Sequence, residues 1–299
     1  MFYSNVFTQN LTEYILNRMD KECIGQGRTA QVFSEDNEKI IKLYKDFIPR
    51  EMAENEFVMS KCAYDNGIKT PQPYSIGMYE GRSGITYERI SGKTLLQKLG
   101  KEPLQAHAVA KKMAELHYSI HQVCIGSCMN KQKERLRDAV NAAPFLNDEQ
   151  TSGILAYLDM LPEGHTLCHG DFHPDNIITD GRSFWIIDWM TGCEGDAACD
   201  VARTVMILRY SAIPGHIPLP VKLLLRYLQK KLSDWYKAEY MRKSGLRKQD
   251  IDRWMLPNYA ARLVENLSPD ETAVILNCIT RETANIQHKK RSDTMNTAL

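Results

Sequence analysis

The ten residues CHGDFHPDNI, at positions 168–177, constrain this chain more than any other part of it. They hold two histidines, two aspartates and an asparagine, and the apolar segment WIID follows at 185–188. The chain on both sides has helical patterning, so short strands and polar loops interrupt helices here. A polar cluster between apolar strands indicates a functional site. A metal cluster, a hydrolytic site and a loop with some other function are the three interpretations to compare.

The spacing of three polar side chains favours phosphate transfer. Asn176 lies five residues after Asp171, and Asp188 follows twelve residues later at the end of an apolar strand. The dipeptide Asp180-Gly181 predicts a hairpin turn between them, and a hairpin can place its end groups together. One carboxylate and one amide oxygen suit Mg²⁺, which binds through few protein oxygens plus phosphate. The remaining aspartate can orient a hydroxyl and accept its proton, as phosphoryl transfer requires.

A nucleotide-binding segment is predicted upstream. Gly25 and Gly27 open a hairpin whose bare backbone can approach phosphate groups closely. Lys42 lies on the following predicted strand, where its amine would contact the α- and β-phosphates. The next predicted helix offers Glu54 or Glu56 to hold this lysine. We favour Glu56 because of its distance from the turn that follows the helix.

Hydrophobic periodicity predicts two regions. Up to about Ile90 the pattern predicts short strands around one helix, with Gly67 as its C-cap. From Ser91 onward helices predominate, except around the opening motif, and they continue to about Ala284. The last residues, from Gln287, are expected to form a polar tail. The sequence shows no internal repeat and no low-complexity linker.

The order of these motifs resembles the aminoglycoside phosphotransferase and choline kinase-like family, which are small-molecule relatives of the eukaryotic protein kinases. The likeness covers about residues 20–210, from the GxG hairpin to IDW. The pair HGDFHPDNI and IIDW at this separation is specific, whereas the hairpin alone is weak because Ala30 replaces the third glycine of the protein-kinase loop. The resemblance implies a bilobal, protein kinase-like α+β fold. Residues 1–90 would form a β-rich nucleotide-binding lobe, and 91–299 a mainly helical catalytic and acceptor-binding lobe.

The resemblance also implies a role for each motif residue. Asp171 matches the catalytic aspartate of the family, and Asn176 and Asp188 match its magnesium ligands. Lys42 and Glu56 match the ion pair that positions the nucleotide.

Three further matches concern the nucleotide and the loop. Glu88-Arg89-Ile90 matches the hinge, so the backbone of Glu88 and Ile90 would hydrogen-bond adenine. Asp200 matches an aspartate that braces the catalytic loop, and Trp189-Met190 takes the place of the Phe-Gly of protein kinases. The implied cofactors are ATP, with GTP left open, and Mg²⁺. The implied partner is a small-molecule hydroxyl acceptor, namely an amino sugar, an amino alcohol or a sugar.

Histidine and cysteine ligands offer the competing metal interpretation. A metal hydrolase would use His169 and His173, but no partner cluster of histidines is evident, and we expect both to bond the loop backbone. His117 and His121 have helical ligand spacing without the glutamate of HExxH, so a core role is favoured. The cysteines Cys124, Cys128, Cys168 and Cys193 are expected to be small buried hydrophobes.

The acceptor is not fixed by the sequence. Residues 211–299 carry 15 Lys and Arg against 9 Asp and Glu, a balance of +6, which argues mildly against a site for polycations. Acids that can still line such a site are Glu194, Asp196, Asp252, Glu265 and Asp270. Aromatic residues can form a wall for a sugar or a quaternary amine, or pack in the core, which is favoured: Trp235, Tyr236, Tyr240, Trp254 and Tyr259.

Composition restricts the other partners and the compartment. The net charge of +1 gives no field that attracts nucleic acid or an anionic membrane. No run approaches 18 uninterrupted apolar residues, and the first residues lack the pattern of a secretory leader. The eight cysteines are scattered without a CxxC pair, as is typical of a reducing compartment. We therefore expect a cytoplasmic protein that binds neither nucleic acid nor membrane.

Two functions from other classes remain as alternatives. A nucleotide-binding regulator without transferase activity is disfavoured by the complete set of Lys, Glu, Asp, Asn and Asp. A protein kinase is disfavoured because no activation segment ending in APE follows IDW.

Overall fold

The computed structural model describes residues 22–79, 81–126, 130–213 and 217–297. The chain forms two compact units. The first consists of Met1–Lys93 together with Ile177–Thr191, and the second of Thr94–Asn176 together with Gly192–Leu299. The hairpin that carries Asp188 therefore belongs to the first unit.

The first unit contains five strands: β1 (Cys23–Gln26), β2 (Ala30–Ser34), β3 (Lys39–Tyr44), β4 (Pro73–Tyr79) and β5 (Arg82–Glu88). They form an antiparallel sheet in the order β1-β2-β3-β5-β4. Gly81, at φ +80°, precedes β5, where only a residue without a β-carbon is unstrained. Glu80, the preceding residue, lies outside the described residues.

One helix, α1 (Arg50–Asp65), packs on this sheet. Its stripe of buried residues includes Ala53, Met59 and Ala63, at the spacing of one helix face. The helix is capped at Asn66, and Gly67 follows in the left-handed conformation at φ +79°. Ala53 joins a small core with residues from three strands: Ala30, Tyr44, Ile85 and Tyr87.

A second hairpin completes the first unit. Strands β8 (Ile177–Thr179) and β9 (Phe184–Ile186) pair antiparallel, and Gly181 turns the chain at φ +98°. The Ile186 N–H donates to the Lys69 carbonyl at 2.9 Å. After the hairpin in the sequence, the buried Trp189 donates through its indole N–H to the Thr70 hydroxyl at 3.1 Å. These bonds fix the backbone on both sides of Asp188.

The second unit is mainly helical. Its strands β7 (Thr166–Cys168) and β10 (Cys193–Gly195) pair antiparallel and flank the opening motif. Strand β6 (Lys93–Thr94) begins at Lys93, the last residue of the first segment of the other unit. The helices are α2 (Leu95–Lys101), α3 (Ala106–Ile120), α4 (Gln132–Asn141), α5 (Asp148–Asp159), α6 (Ala197–Tyr210), α7 (Leu219–Ser244), α8 (Lys248–Asp252), α9 (Met255–Arg262) and α10 (Pro269–Thr297).

The predicted fold class is confirmed: a strand-rich N-terminal part is followed by a mainly helical one in an α+β fold. The prediction of a polar tail after Ala284 is wrong, because α10 continues to Thr297. No glycine or proline interrupts this helix after Pro269, and its last turns are polar but rich in residues of good helix propensity. No helix of the described residues is long and apolar enough to cross a bilayer.

Candidate active site

The first unit buries a lysine between two carboxylates. Lys42 on β3 donates through Nζ to both carboxylate oxygens of Glu56 on α1, at 2.7 and 2.8 Å. The same amine donates to Asp188 Oδ1 at 2.9 Å. The Glu56 side chain is 1% exposed and that of Lys42 13%. The other candidate, Glu54, pairs instead with Arg50 at 2.7 Å on the outer face of the helix.

Glu56 has two further donors that the sequence analysis missed. The Tyr44 hydroxyl donates to Oε2 at 2.5 Å, and the Tyr87 hydroxyl donates to Oε1 at 3.3 Å. A signal was available for the first, because residues two apart on a strand face the same side, and Tyr44 is two residues after Lys42. With four hydrogen bonds, this buried carboxylate has no lone pair left to satisfy another group.

The lysine keeps its charge in this setting. Burial favours the neutral amine, but the carboxylates of Asp188 and Glu56 outweigh it and raise the pKa of Lys42 above its ordinary value. A fixed cation that is still partly open to solvent attracts phosphate oxygens. The arrangement is thus suited to an anionic ligand.

Asp188 has an unusual backbone conformation and a free oxygen. Its φ of 66° lies in the left-handed region, which few residues other than glycine adopt. Oδ1 accepts from Lys42, whereas Oδ2 has no hydrogen-bond partner among the described residues. The side chain is 33% exposed. Backbone strain of this kind concentrates at functional sites, where a side chain must point in one direction.

The glycine hairpin and the hinge of the first unit each leave backbone groups accessible. A β-carbon at Gly25 or Gly27 would meet its neighbours only at 3.5 Å, an ordinary contact, so the local fold does not itself require these glycines. Arg89 N–H donates to the Glu38 carbonyl, but the Ile90 N–H has no partner among the described residues. Ile90 is half-buried and lies two residues after β5, so its unpaired N–H can donate to a flat, nitrogen-rich ring.

The opening motif forms a loop of the second unit, and both of its histidines accept hydrogen bonds from backbone N–H groups. His169 Nδ1 accepts the N–H of Asp171 at 3.2 Å, and His173 Nδ1 accepts the N–H of Asp175 at 3.3 Å. His173 must therefore carry its proton on Nε2, which lies 3.3 Å from Asp171 Oδ2. These contacts match the expected role of both histidines as supports of the loop.

Asn176 turns its amide nitrogen into the same loop. Nδ2 donates to the Asp171 carbonyl at 2.9 Å. The other end of the amide, Oδ1, makes no hydrogen bond within the described part of the chain. The side chain therefore presents an oxygen, not a nitrogen, as its free atom.

The Asp171 carboxylate is held in its charged form. Burial acts against ionisation, but the hydrogen bond from His173 and the nearby charge of Arg203 prevail and lower the pKa of Asp171 below its ordinary value. A carboxylate of low basicity is a poor proton acceptor in the ground state. It is well suited to orient a hydroxyl and to accept its proton late in the reaction.

Two residues of α6 anchor the loop. Asp200 accepts the N–H of His169 at 2.6 Å and that of Gly170 at 2.9 Å, which agrees with the expected bracing contact. Arg203, which the sequence analysis missed, donates through Nε to the Gly170 carbonyl at 2.6 Å and pairs with Glu265 at 2.7 Å. Gly170, the residue before Asp171, is thus held at both its N–H and its C=O.

The remaining candidates are accounted for as follows. His117 and His121 are buried against Asp200. In the described part of the chain, these three residues are the one group whose ligand atoms lie close enough together to hold a metal ion, and His169 and His173 do not belong to it. None of the seven described cysteines forms a disulfide; Cys168 and Cys193 are buried as expected, and Cys128 lies outside the described residues. The expectation of a buried thiol is wrong for Cys124, which is exposed just after the end of α3. Four of the five aromatic candidates are core residues and only Trp235 is not, so the core interpretation describes Tyr236, Tyr240, Trp254 and Tyr259.

The acids considered for a polycation site all have partners. Glu194 contacts Lys131 and His165, and Asp252 contacts Lys237 and Lys248. Asp196 caps α6 by accepting the N–H of Ala198 at 2.7 Å, Glu265 pairs with Arg203 and Arg262, and Asp270 lies 3.7 Å from Lys222.

An antiparallel sheet with one helix, a lysine–glutamate pair and a braced HGDxxxxN loop define a kinase-like phosphotransferase. The chain belongs to the phosphotransferase enzyme family, whose model matches residues 24–240, and it is a small-molecule kinase. The suspected family is therefore confirmed. No curated protein matches the chain.

Solved structures with the same fold share little sequence with it. A thermostable mutant of the aminoglycoside phosphotransferase APH(4)-Ia, in a ternary complex with AMP-PNP and hygromycin B, has a TM-score of 0.60 at 16% identity, covering 88% of this chain and 93% of that one. The amicoumacin kinase hAmiN, with AMP-PNP, Ca²⁺ and Ami, gives 0.56 at 13%, covering 92% and 94%. A choline kinase from Cryptosporidium parvum Iowa II gives 0.54 at 14%, covering 91% and 90%.

Proposed function

We propose that the protein transfers the γ-phosphate of ATP, with Mg²⁺, to a hydroxyl group of a sugar, an amino sugar or an amino alcohol. The observation that carries this proposal is the Lys42 amine held between Glu56 and Asp188. This arrangement keeps a cation in place for phosphate oxygens, and it is the part that kinases of this fold require for catalysis.

The proposed roles follow from what each residue offers. Asp171 orients the acceptor hydroxyl and accepts its proton, while Lys42 contacts the α- and β-phosphates and Glu56 holds that lysine. Gly25 and Gly27 let the hairpin backbone approach the phosphates. The backbone of Glu88 and Ile90 binds adenine, and the free N–H of Ile90 supports this assignment.

The donor set fits a hard divalent cation. Asn176 Oδ1 and Asp188 Oδ2 are oxygen atoms without hydrogen-bond partners among the described residues, and Mg²⁺ prefers such ligands together with water and phosphate. We propose these two side chains as its protein ligands. When bound, the ion would neutralise charge on the transferred phosphate.

The charge pattern of the second unit supports an acceptor with few positive charges. Eight acidic side chains are described between residues 217 and 286. Seven of them contact a lysine or an arginine, and the eighth, Glu271, accepts from Ser268. A polycationic antibiotic would have to break several of these pairs. We therefore expect a sugar or an amino alcohol to be a better acceptor than an aminoglycoside.

A coupled ADP-release screen tests the proposal. Purified protein is supplied with ATP or GTP, with and without Mg²⁺, over panels of sugars, amino alcohols and aminoglycosides. We expect ADP release that needs both Mg²⁺ and one acceptor from the first two panels. Magnesium-dependent ATP binding without transfer to any acceptor would identify a regulator instead.

Substitution of Asp171 tests its role. Asp171→Ala should lower turnover by about 10²–10⁴-fold while ATP still binds, because a positioned proton acceptor contributes rate enhancements of that size. Asp175→Asn is the matched control, since this exposed carboxylate of the same loop accepts from the Thr94 hydroxyl and from no other group among the described residues. Turnover of Asp171→Ala close to that of the control would show that the role is wrongly assigned.

The cysteines bear on the compartment of the protein. Seven cysteines of the described chain form no disulfide, as is usual for proteins of a reducing compartment, and we propose the cytoplasm.

A further inference from the structure

Two histidine–tyrosine pairs lie against Asp200, whose carboxylate accepts backbone N–H groups of the loop before Asp171. His117 and His121 lie one turn apart at the end of α3, and Tyr236 and Tyr240 lie one turn apart on α7. His117 Nε2 is 3.0 Å from Asp200 Oδ2, and its Nδ1 is 2.6 Å from the Tyr236 hydroxyl. His121 repeats the arrangement, at 3.3 Å from Asp200 and 2.6 Å from the Tyr240 hydroxyl.

The chemistry of these groups fixes every proton in the network. The Asp200 carboxylate can only accept, so each histidine must carry its proton on Nε2 and donate it to Oδ2. Each Nδ1 is then an acceptor, which the tyrosine O–H satisfies. Burial, with the neighbouring His121, lowers the pKa of His117 to about 3, so this ring is neutral at ordinary pH. All five side chains are at most 5% exposed.

The network extends directly to the catalytic loop. Asp200 Oδ2, the oxygen that accepts from both histidines, also accepts the His169 N–H at 2.6 Å. The Phe172 ring stacks on the His117 ring with centroids 4.1 Å apart. The residues on both sides of Asp171 are therefore held by groups that the network orients.

A metal ion is the other occupant that this cluster suggests. The ligand atoms of His117, His121 and Asp200 lie within 4.8 Å of one another. A metal would need Asp200 Oδ2, which already accepts three N–H groups, and it would displace both histidine protons. The complete hydrogen-bonding pattern, including the two tyrosines, favours a proton network over an ion.

We propose that His117, His121, Tyr236 and Tyr240 are positioning residues: they hold Asp200 in the orientation that fixes the loop carrying Asp171. The inference rests on the proposed catalytic role of Asp171. The tyrosines select the histidine tautomer, the histidines orient the carboxylate, and the carboxylate holds the His169 and Gly170 peptide N–H groups.

The network itself is tested without any turnover. In ¹⁵N NMR spectra of the wild-type protein, His117 and His121 should both appear as the neutral tautomer protonated on Nε2. In the double variant Tyr236→Phe/Tyr240→Phe, hydrogen exchange of the His169 and Gly170 amides should become about tenfold faster. The opposite tautomer, an imidazolium, or unchanged exchange of these two amides would overturn the proposal.

The kinetic test separates positioning from stability. Each hydroxyl removed should lower kcat by about 3- to 10-fold, as expected for one hydrogen bond, while the KM for ATP stays within twofold. Tyr259→Phe is the matched control, because Tyr259 is buried in the same unit but contacts Tyr210, not Asp200. A double variant that melts earlier than wild type but keeps its kcat would contradict the positioning role.

Rescue by a conservative residue adds a second comparison. His117→Gln keeps an N–H donor for Asp200, whereas His117→Leu has similar size and no donor. The glutamine variant should retain at least threefold more kcat than the leucine variant at a comparable melting temperature, and equal kcat values would overturn the proposal. Wild-type protein without turnover on any acceptor would contradict the proposed function and leave the amide-exchange result as the test of the network.

Discussion

At the scale of single residues, the Glu56 carboxylate shows how a buried charge is kept. It is 1% exposed and receives hydrogen bonds from Lys42, Tyr44 and Tyr87. Taking a carboxylate out of water is costly unless its oxygens are paired and hydrogen-bonded, and here both oxygens are. The charge of Glu56 is thus stabilised by the whole cluster, and removal of any one donor leaves a carboxylate oxygen with one hydrogen bond fewer.

We expect Glu56→Ala to be strongly destabilising. The variant leaves Lys42 buried beside Asp188 alone, and loss of one partner of a buried pair costs about 3–5 kcal/mol of the free energy of unfolding. Urea denaturation measures this value. Glu54→Ala is the control two residues earlier, whose pair with Arg50 is exposed and contributes about 0–1 kcal/mol. Similar losses in the two variants would contradict this account of the cluster.

The sequence was enough to predict some of these residues and not others, and Glu56 was chosen from its distance to the turn after the helix. Glu56 lies on the buried stripe of α1 with Ala53 and Met59, and Glu54 does not, so helix spacing separates the two candidates. The contact of His117 with Tyr236 joins residues 119 positions apart. No local pattern encodes such a pairing, because it depends on how α3 and α7 pack. The sequence therefore predicted the motif residues but not the tyrosines or Arg203 that support them.

At the scale of secondary structure elements, the strands and helices near the motifs followed their local signals. Gly67 and Gly181 lie in the left-handed region after a helix and in a hairpin turn, as their positions predict. The end of α10 did not follow such a signal, because a polar composition was interpreted as a tail. Polarity predicts exposure, whereas a helix ends only where a glycine, a proline or a cap stops it.

Gly92, close to the end of the first segment of the first unit, tests how tightly the elements pack. A β-carbon at Gly92 would lie 2.6 Å from the Thr179 carbonyl oxygen on β8. Gly92→Ala should therefore lower the free energy of unfolding by about 1–3 kcal/mol, the usual cost of overpacking. At Gly100, in α2, nothing lies within 4 Å of a new β-carbon, so Gly100→Ala should raise it by up to about 1 kcal/mol. Thermal melts compare the melting temperatures of the two variants with that of the wild type. A higher melting temperature for Gly92→Ala would show that the backbone shifts to remove the close contact with Thr179.

At the scale of the whole molecule, the chain returns to its first unit after building part of the second. Residues 177–191 join the N-terminal sheet segment across the 83 intervening residues of the other unit. A division of the sequence at residue 90 describes composition well, but a composition change cannot reveal that a later hairpin belongs to the earlier unit. The assignment of nucleotide binding to 1–90 and of acceptor binding to 91–299 stays a prediction.

Acid should weaken the whole fold through His117. Its pKa is about 3 in the folded chain against an ordinary value of about 6.5, so the unfolded chain takes up the proton first as the pH falls. The free energy of unfolding should then decrease below pH about 6.5 by about 1.4 kcal/mol per pH unit, with no contribution from this group above that pH.

Urea unfolding of wild type and His117→Gln at pH 7, 6 and 5 measures this effect. The glutamine variant cannot take up the proton, so its stability should fall less steeply over this range. Parallel pH dependences in the two proteins would show that His117 is protonated in the folded state.

The left-handed backbone of Asp188 limits how this enzyme can be inactivated by mutation. A residue with a β-carbon costs about 1–2 kcal/mol at φ 66°, and only glycine, asparagine and aspartate adopt it with ease. Asp188→Asn therefore removes the charge and keeps the chain path, whereas Asp188→Ala mixes lost chemistry with strain. Asparagine and glycine are therefore the replacements that this backbone accepts most easily, and a descendant of this sequence that lost the proposed magnesium ligand is expected to carry one of the two at position 188.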